Sequence, residues 1–198
     1  MTVAVVKLGV GNTASVMFAL DRLGAEARLT ADPEEIAGAD RLILPGVGAA
    51  AYAMERIKIT GLREALVNFR RPILGVCLGQ QLLFEESEEG GAATLGLLQG
   101  TVRRLPSSIA APAPHMGWSR LAAVKPHPLL EGVKDGDYCY FVHSFACPIS
   151  EFALATCDYE TSFSAIVGRE NVFGCQFHPE RSGETGRRIL SNFLALPC

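Results

Sequence analysis

Apolar positions change their rhythm along this chain, and the change marks its elements. Thr2-Val3-Ala4-Val5-Val6 is an unbroken β-branched run, the pattern of a strand buried on both faces. From Ala14 to Leu23 the apolar residues Val16, Met17, Leu20 and Leu23 repeat at a helical period, and Gly24 follows as a stop. Ala25 to Leu29 reads as a second strand. Asp32-Pro33-Glu34-Glu35 has the form of an N-cap, a proline at the first helical position and an acidic first turn. Arg41 to Leu44 is a third strand, stopped by Pro45. Helical patterns then cover Ala50 to Ile57 and Gly61 to Phe69, and Pro72 ends them. A strand Ile73 to Cys77 comes next, and a helix-type run, Leu78 to Phe84, begins at once. Strand and helix thus alternate through the first half, which predicts a parallel sheet with helices on its faces.

Beyond Leu98 the texture becomes a series of short strand-like runs: Thr101–Leu105, Ser119–Val124, Tyr138–Val142, Phe152–Thr156, Phe163–Val167 and Val172–Phe177. Antiparallel strands fit them, and a final helix runs from about Glu184 to Leu194. The expected fold is α/β: an open, mostly parallel twisted sheet of flavodoxin-like kind, with helices on both faces and added antiparallel strands in the C-terminal half. Ala110-Ala111-Pro112-Ala113-Pro114 is the most linker-like piece and is too short to divide domains, so one domain over 1–198 is expected.

Composition narrows the function. The 198 residues are 48% hydrophobic and 20% charged, enough to bury a core. The net charge is −3, and no Lys/Arg stripe forms, so nucleic-acid binding is not expected. The uncharged run Leu8 to Leu20 is too short to span a bilayer, and no secretory signal precedes it. Six cysteines lack Cys-x-x-Cys spacing, so a reduced, cytoplasmic protein is expected.

The chemistry concentrates at Gly75-Val76-Cys77-Leu78-Gly79. Glycines two before and two after a cysteine, between strand and helix, form a nucleophile-elbow pattern with Cys in place of Ser. A Cβ at either glycine would crowd so tight a turn. The turn lifts the sulfur above a helix N-terminus, where free N–H groups and the dipole favour thiolate. The Leu78 N–H points to where an oxyanion would form. A thiolate needs an imidazole partner, and the imidazole needs an orienting acceptor. His115 and His127 sit beside prolines in loop-like sequence, and His143 follows a strand. His178 ends the last strand, in Gln176-Phe177-His178-Pro179-Glu180, with Glu180 able to reach back to it. In open α/β sheets functional groups gather at the carboxyl ends of strands, where Cys77 and His178 both fall. Pro45-Gly46-Val47-Gly48 follows the neighbouring strand and offers a second oxyanion donor.

These residues carry a resemblance. Gly75-Val76-Cys77-Leu78-Gly79-Gln80-Gln81 together with Phe177-His178-Pro179-Glu180 resembles the class I, triad-type glutamine amidotransferases over essentially the whole chain. Within that class, Pro45 to Gly48, Pro114-His115-Met116-Gly117-Trp118 and Tyr140-Phe141-Val142-His143-Ser144-Phe145 are most similar to the glutaminase subunits of imidazole glycerol phosphate synthase. The alternative is a glutaminase of the anthranilate or pyridoxal phosphate synthase type, which those segments argue against.

The resemblance implies hydrolysis of glutamine to glutamate and ammonia through a Cys77 thioester. His178 would shuttle protons, Glu180 would orient it, and N–H groups at Leu78, Val47 and Gly48 would form the oxyanion hole. Gly46, Gln81, His143, Ser144 and Phe145 would hold glutamine. No metal and no cofactor are implied. The ammonia would pass to a cyclase built as a separate (β/α)8-barrel chain, a fold that takes about 250 residues. Asn12, Met116, Trp118, Tyr138 and Arg181 match interface positions, and activity would stay low until the partner binds its own ligand. Arg181 stands where the family commonly has Lys, and Thr13 where a bulky apolar residue is usual. Both departures touch coupling to the partner, since the guanidinium keeps the charge but changes its geometry. From the residues alone, Trp118 reads equally as an interface anchor or as a core residue beneath a loop.

Overall fold

The computed structural model describes residues 1–9 and 13–197. The interface position expected at Asn12 therefore lies outside the described residues. Strands β1 (Thr2–Val6), β2 (Glu26–Thr30), β3 (Arg41–Gly46) and β4 (Ile73–Cys77) alternate with helices α1 (Thr13–Arg22), α2 (Pro33–Gly38), α3 (Ala50–Ile59), α4 (Arg63–Val67) and α5 (Leu78–Leu82). Then come β5 (Glu86–Ser87), β6 (Ala92–Ala93), β7 (Thr101–Arg104), β8 (His115–Arg120), β9 (Tyr138–His143), β10 (Phe145–Ala146), β11 (Ala153–Tyr159), β12 (Thr161–Arg169), β13 (Val172–Cys175) and α6 (Gly183–Ala195).

The main sheet has the order β11-β12-β13-β4-β3-β1-β2. Its β2, β1, β3, β4 and β13 are all parallel, the 2-1-3-4-5 order of flavodoxin-like folds. β12 and β11 extend it as antiparallel strands. Alternation along the strands feeds two cores. Val3, Val5, Ile43, Leu74 and Val76 pack with Val16 and Leu20 of α1 and Ile189 and Phe193 of α6. Ala4, Val6, Leu42 and Ile73 face the other way, against Ile36, Ala53, Ile57 and Leu66. The unbroken apolar runs are explained by this double burial. The Asp32 side chain caps α2 by accepting from the Glu34 N–H at 2.8 Å.

Two strands near the site have boundaries that differ from expectation. β3 continues through Pro45, because its pairing with β1 ends at Ile43; beyond that the missing N–H leaves only the β4 side to satisfy. The strand expected at Ser119–Val124 is β8, His115–Arg120, whose register is set by antiparallel pairing with β9 from His115↔His143 to Arg120↔Tyr138. His115 is therefore a buried strand residue rather than a loop residue. Four short strands, β10-β7-β5-β6, form a second sheet beside the elbow. Among the described residues no helix is long and apolar enough to cross a membrane.

Candidate active site

β4 passes into α5 with no intervening residue, and Cys77 stands at the junction with φ 55° and ψ −110°. That conformation costs a non-glycine residue about 1–3 kcal/mol. The surroundings enforce it. A Cβ on Gly79 would lie 1.7 Å from the Leu44 carbonyl oxygen, and one on Gly75 would lie 2.5 Å from the Gly79 oxygen. The elbow thus rests directly on the backbone of β3. The helix behind it is shorter than expected: α5 ends at Leu82. Leu83 and Phe84 close with bonds to Gln80 and Gln81 carbonyls three residues back, the tightened form of a helix end. What α5 presents at the sulfur is its first free N–H groups rather than a long dipole.

His178 is carried to this spot by β9. Its backbone N–H donates to the Tyr140 carbonyl at 3.0 Å, while Ser182 Oγ accepts from Tyr140 N–H and donates to the His178 carbonyl. Its Nδ1 lies 2.8 Å from Glu180 Oε1. An ionised carboxylate only accepts, so Nδ1 holds the hydrogen and Nε2 is the ring nitrogen left for another partner. Nε2 and Glu180 Oε2 are buried with no hydrogen-bond partner among the described residues. Burial opposes a charged imidazole here, but the Cys77 sulfur and the Glu180 carboxylate outweigh it and push the His178 pKa up to about 10. The arrangement favours imidazolium beside sulfur.

A cleft of about 480 Å³ opens over the sulfur, walled by Val47, Gly48, Leu78, Gln81, Glu89 and the segment Val142 to Phe145. Gly48 has φ 96°, a backbone state open to glycine. Gly46 is paired with Cys77, and a Cβ there would sit 3.0 Å from Leu78 Cβ, so it packs against the elbow. Glu89 is an acidic side chain on the cleft wall and accepts from the Ala50 N–H at 2.7 Å. Sequence reasoning misses it, because nothing in Glu85-Glu86-Ser87-Glu88-Glu89 marks one carboxylate apart from the others. It also misses Gln176 as a site residue; this side chain is fully buried, with Nε2 3.8 Å from Cys77 Sγ.

The Phe145 carbonyl ties the cleft floor together. It accepts from Gln81 Nε2 at 2.8 Å and from His143 Nδ1 at 2.8 Å. Because a carbonyl only accepts, His143 must carry its hydrogen on Nδ1, and its Nε2 accepts from His115 Nδ1 at 3.1 Å. His115 Nε2 in turn accepts from Ser119 Oγ at 2.8 Å. Both rings are held neutral: burial drives the His143 pKa down to about 3 and that of His115 down to about 4. The unfolded chain binds both protons below about 6.5, whereas the folded chain refuses them until the pH nears 4 and 3. Their stabilising contribution is complete above 6.5 and drains away as the pH falls through that window. We expect urea-unfolding stability to fall by about 2–3 kcal/mol per pH unit between pH 6 and 5. In His115→Asn, which keeps a donor toward His143, roughly half of that slope should vanish; an unchanged slope would contradict the assignment.

β8 and β9 also form an exposed patch. Met116, Trp118 and Tyr138 are 64%, 55% and 47% exposed, so Trp118 is not a core residue. Trp118 meets Tyr140 edge-on at 5.9 Å, Arg120 Nε donates to Tyr138 Oη at 2.8 Å, and the Arg181 guanidinium lies 4.8 Å over the Tyr140 ring. Val142, opposite Met116, leads from this patch into the cleft. Among the described residues no group of three or more His, Cys, Asp or Glu side chains could hold a metal ion.

Comparison with known proteins gives the family. The family described as "Glutamine amidotransferase class-I" matches residues 5–196. The chain belongs to this family. Curated relatives include the "Imidazole glycerol phosphate synthase subunit HisH" of Xylella fastidiosa, 51% identical over 98% of this chain and 97% of that protein. The protein of the same name from Xanthomonas axonopodis pv. citri is 47% identical over the same shares. Among solved structures, one described as a glutamine amidotransferase superimposes with a TM-score of 0.74 at 22% identity, covering 98% of this chain and 97% of that one. It shares the amidotransferase fold.

Proposed function

We propose that this chain is the glutaminase subunit of an imidazole glycerol phosphate synthase and that the whole chain, 1–198, works as one domain. The observation that carries the chemistry is an imidazole, His178, bonded to Glu180 on one nitrogen at 2.8 Å and left with its other nitrogen for Cys77. Identity near one half over 98% of the chain to subunits of that enzyme carries the assignment within the family.

The proposed reaction uses these groups in turn. The Cys77 thiolate attacks the side-chain amide carbon of glutamine. The tetrahedral oxyanion forms against the N–H groups of Leu78 and of the Val47–Gly48 peptide, each worth about 10²–10³ in rate. His178 Nε2–H passes its proton to the departing nitrogen, ammonia leaves, and a thioester remains on Cys77. His178 then takes a proton from water, which hydrolyses the thioester to glutamate and restores the thiolate–imidazolium pair. Glu180 keeps the ring in the tautomer both steps need. The amino-acid end of glutamine lies along Gln81 and His143 to Phe145, with Gly46 shaping the turn and Glu89 facing the substrate ammonium.

Ammonia passes to a cyclase partner, a (β/α)8-barrel chain, which makes imidazole glycerol phosphate and an aminoimidazole carboxamide ribotide in histidine biosynthesis. That partner docks on Met116, Trp118, Tyr138 and Arg181, together with Asn12. Exposed Trp, Tyr and Arg clustered on one face have the composition of an interface centre. The buried cysteines at 77, 139, 147, 157 and 175 are unpaired, in keeping with a reducing, cytoplasmic setting.

A glutamine analogue with an electrophilic carbon at the amide position tests the reading. Peptide mass spectrometry should find one adduct, on Cys77, and excess glutamine should suppress it. Labelling of other cysteines at an equal rate would refute the proposal.

A further inference from the structure

Among the described residues, two polar groups lie within hydrogen-bond reach of the Cys77 sulfur. On one side is an acceptor, the Val142 carbonyl, 3.7 Å away; on the other is Gln176 Nε2, 3.8 Å away. The identity of the second group decides what it does to the sulfur, since an amide turned over would present oxygen instead.

Its orientation is fixed by a chain of bonds that starts at a group with no ambiguity. The Phe145 carbonyl can only accept, so the Gln81 atom 2.8 Å from it is the amide nitrogen. That nitrogen has a second hydrogen, directed at the side chain of Gln176 at 3.1 Å, so the Gln176 atom there is the oxygen. The remaining end of Gln176, which faces the sulfur, is the NH₂ group. Gln176 has no freedom to turn: it is fully buried, and its backbone N–H is held by the Ala165 carbonyl at 2.9 Å.

The two neighbours of the sulfur therefore serve different protonation states. A neutral thiol donates to Val142. A thiolate cannot, and its charge is met by the amide hydrogen of Gln176 in addition to the imidazolium of His178. Building on the glutaminase reading above, we propose that Gln176 is a further catalytic residue of this site, whose side-chain N–H holds the Cys77 sulfur in its charged, attacking form. The same amide carries the requirement back through Gln81 to the substrate-facing wall. A shift of Gln81 toward bound glutamine is felt at the sulfur through one shared oxygen.

The test is the pH dependence of Cys77 alkylation by iodoacetamide in the full-length chain, read by peptide mass spectrometry so that the other cysteines do not contribute. Gln176→Glu keeps an oxygen for Gln81 but replaces the donor with a carboxylate; Gln176→Met keeps the volume and removes donor and acceptor. A donor to a charged group is worth enough to move the alkylation midpoint upward by about one to two pH units in Gln176→Met, and further in Gln176→Glu. Glutaminase turnover should fall about 10- to 100-fold in Gln176→Met. Circular dichroism melting reports whether each variant is folded, and Gln176→Met, a near-isosteric apolar exchange, serves if Gln176→Glu does not fold. A midpoint that stays at the wild-type pH in a folded variant would overturn the proposal even if turnover dropped, because a purely structural role lowers turnover without moving the titration of the thiol. The glutaminase reading fails separately, if Cys77→Ala still hydrolyses glutamine.

Discussion

Cys77→Ala will abolish glutamine-dependent turnover, by about 10⁴-fold or more, since removing the nucleophile of a triad leaves only what the oxyanion site and binding supply. The fold should survive it. Cys77 sits at φ 55°, and alanine suffers there much as cysteine does, so the backbone demand on the elbow is unchanged. Two assays make the result specific. Glutaminase activity of the complex with the cyclase should disappear, while free ammonia should still support the cyclase reaction at the wild-type rate. Loss of the ammonia-dependent reaction as well would mean that the substitution damages the partner or the docking, and the assignment of Cys77 as the attacking group would lose its support.

The second large effect is expected from a residue that takes no part in the chemistry. Gly79→Ala would place a Cβ 1.7 Å from the Leu44 carbonyl oxygen, far inside contact distance and against backbone rather than a movable side chain. Relief requires β3 and the elbow to part, and these are the two segments that bear Val47, Gly48, Cys77 and Leu78. We expect a loss of at least about 4 kcal/mol in folding stability, at the rare end of single-residue effects. The measurement is the urea midpoint, or the yield of folded chain. Gly38→Ala is the matched control: nothing lies within 4 Å of its Cβ position, and its stability should stay within about 0.5 kcal/mol of wild type. Similar behaviour of the two variants would show that the elbow is not held against β3 as described.

How far the sequence announces all this varies from element to element. β1, β3 and β4 are legible because both faces of each are buried, so apolar residues run without a gap. α2 is legible because Asp32 and Pro33 mark its start chemically. β8 is not, because its pattern is inverted: His115 is buried while Met116 and Trp118 stand in solvent. A search for strands by inward-facing apolar residues passes over such a segment and places the strand at Ser119–Val124 instead. Pro45 misleads for a related reason, since whether a proline ends a strand depends on which neighbour its missing N–H would have met. At the site, the spacing of glycines around Cys77 and the sequence Phe177-His178-Pro179-Glu180 name the residues that meet. Glu89 and Gln176 cannot be named this way. Their parts depend on which groups each meets, the Ala50 N–H for Glu89 and the Gln81 and Cys77 side chains for Gln176, and the fold brings those together from distant parts of the chain.

The oxygen of Phe145 takes hydrogens from both Gln81 and His143. One amide plane is thus a common anchor for two branches, one ending behind the sulfur and the other in the outward-facing ribbon at Ser119. Rotating that plane by half a turn would put an N–H where two donors converge and would cast both branches loose together. Phe145 and Ala146 are the two residues of β10, so that rotation would also break their pairing with β7, and the short second sheet is what locks the anchor.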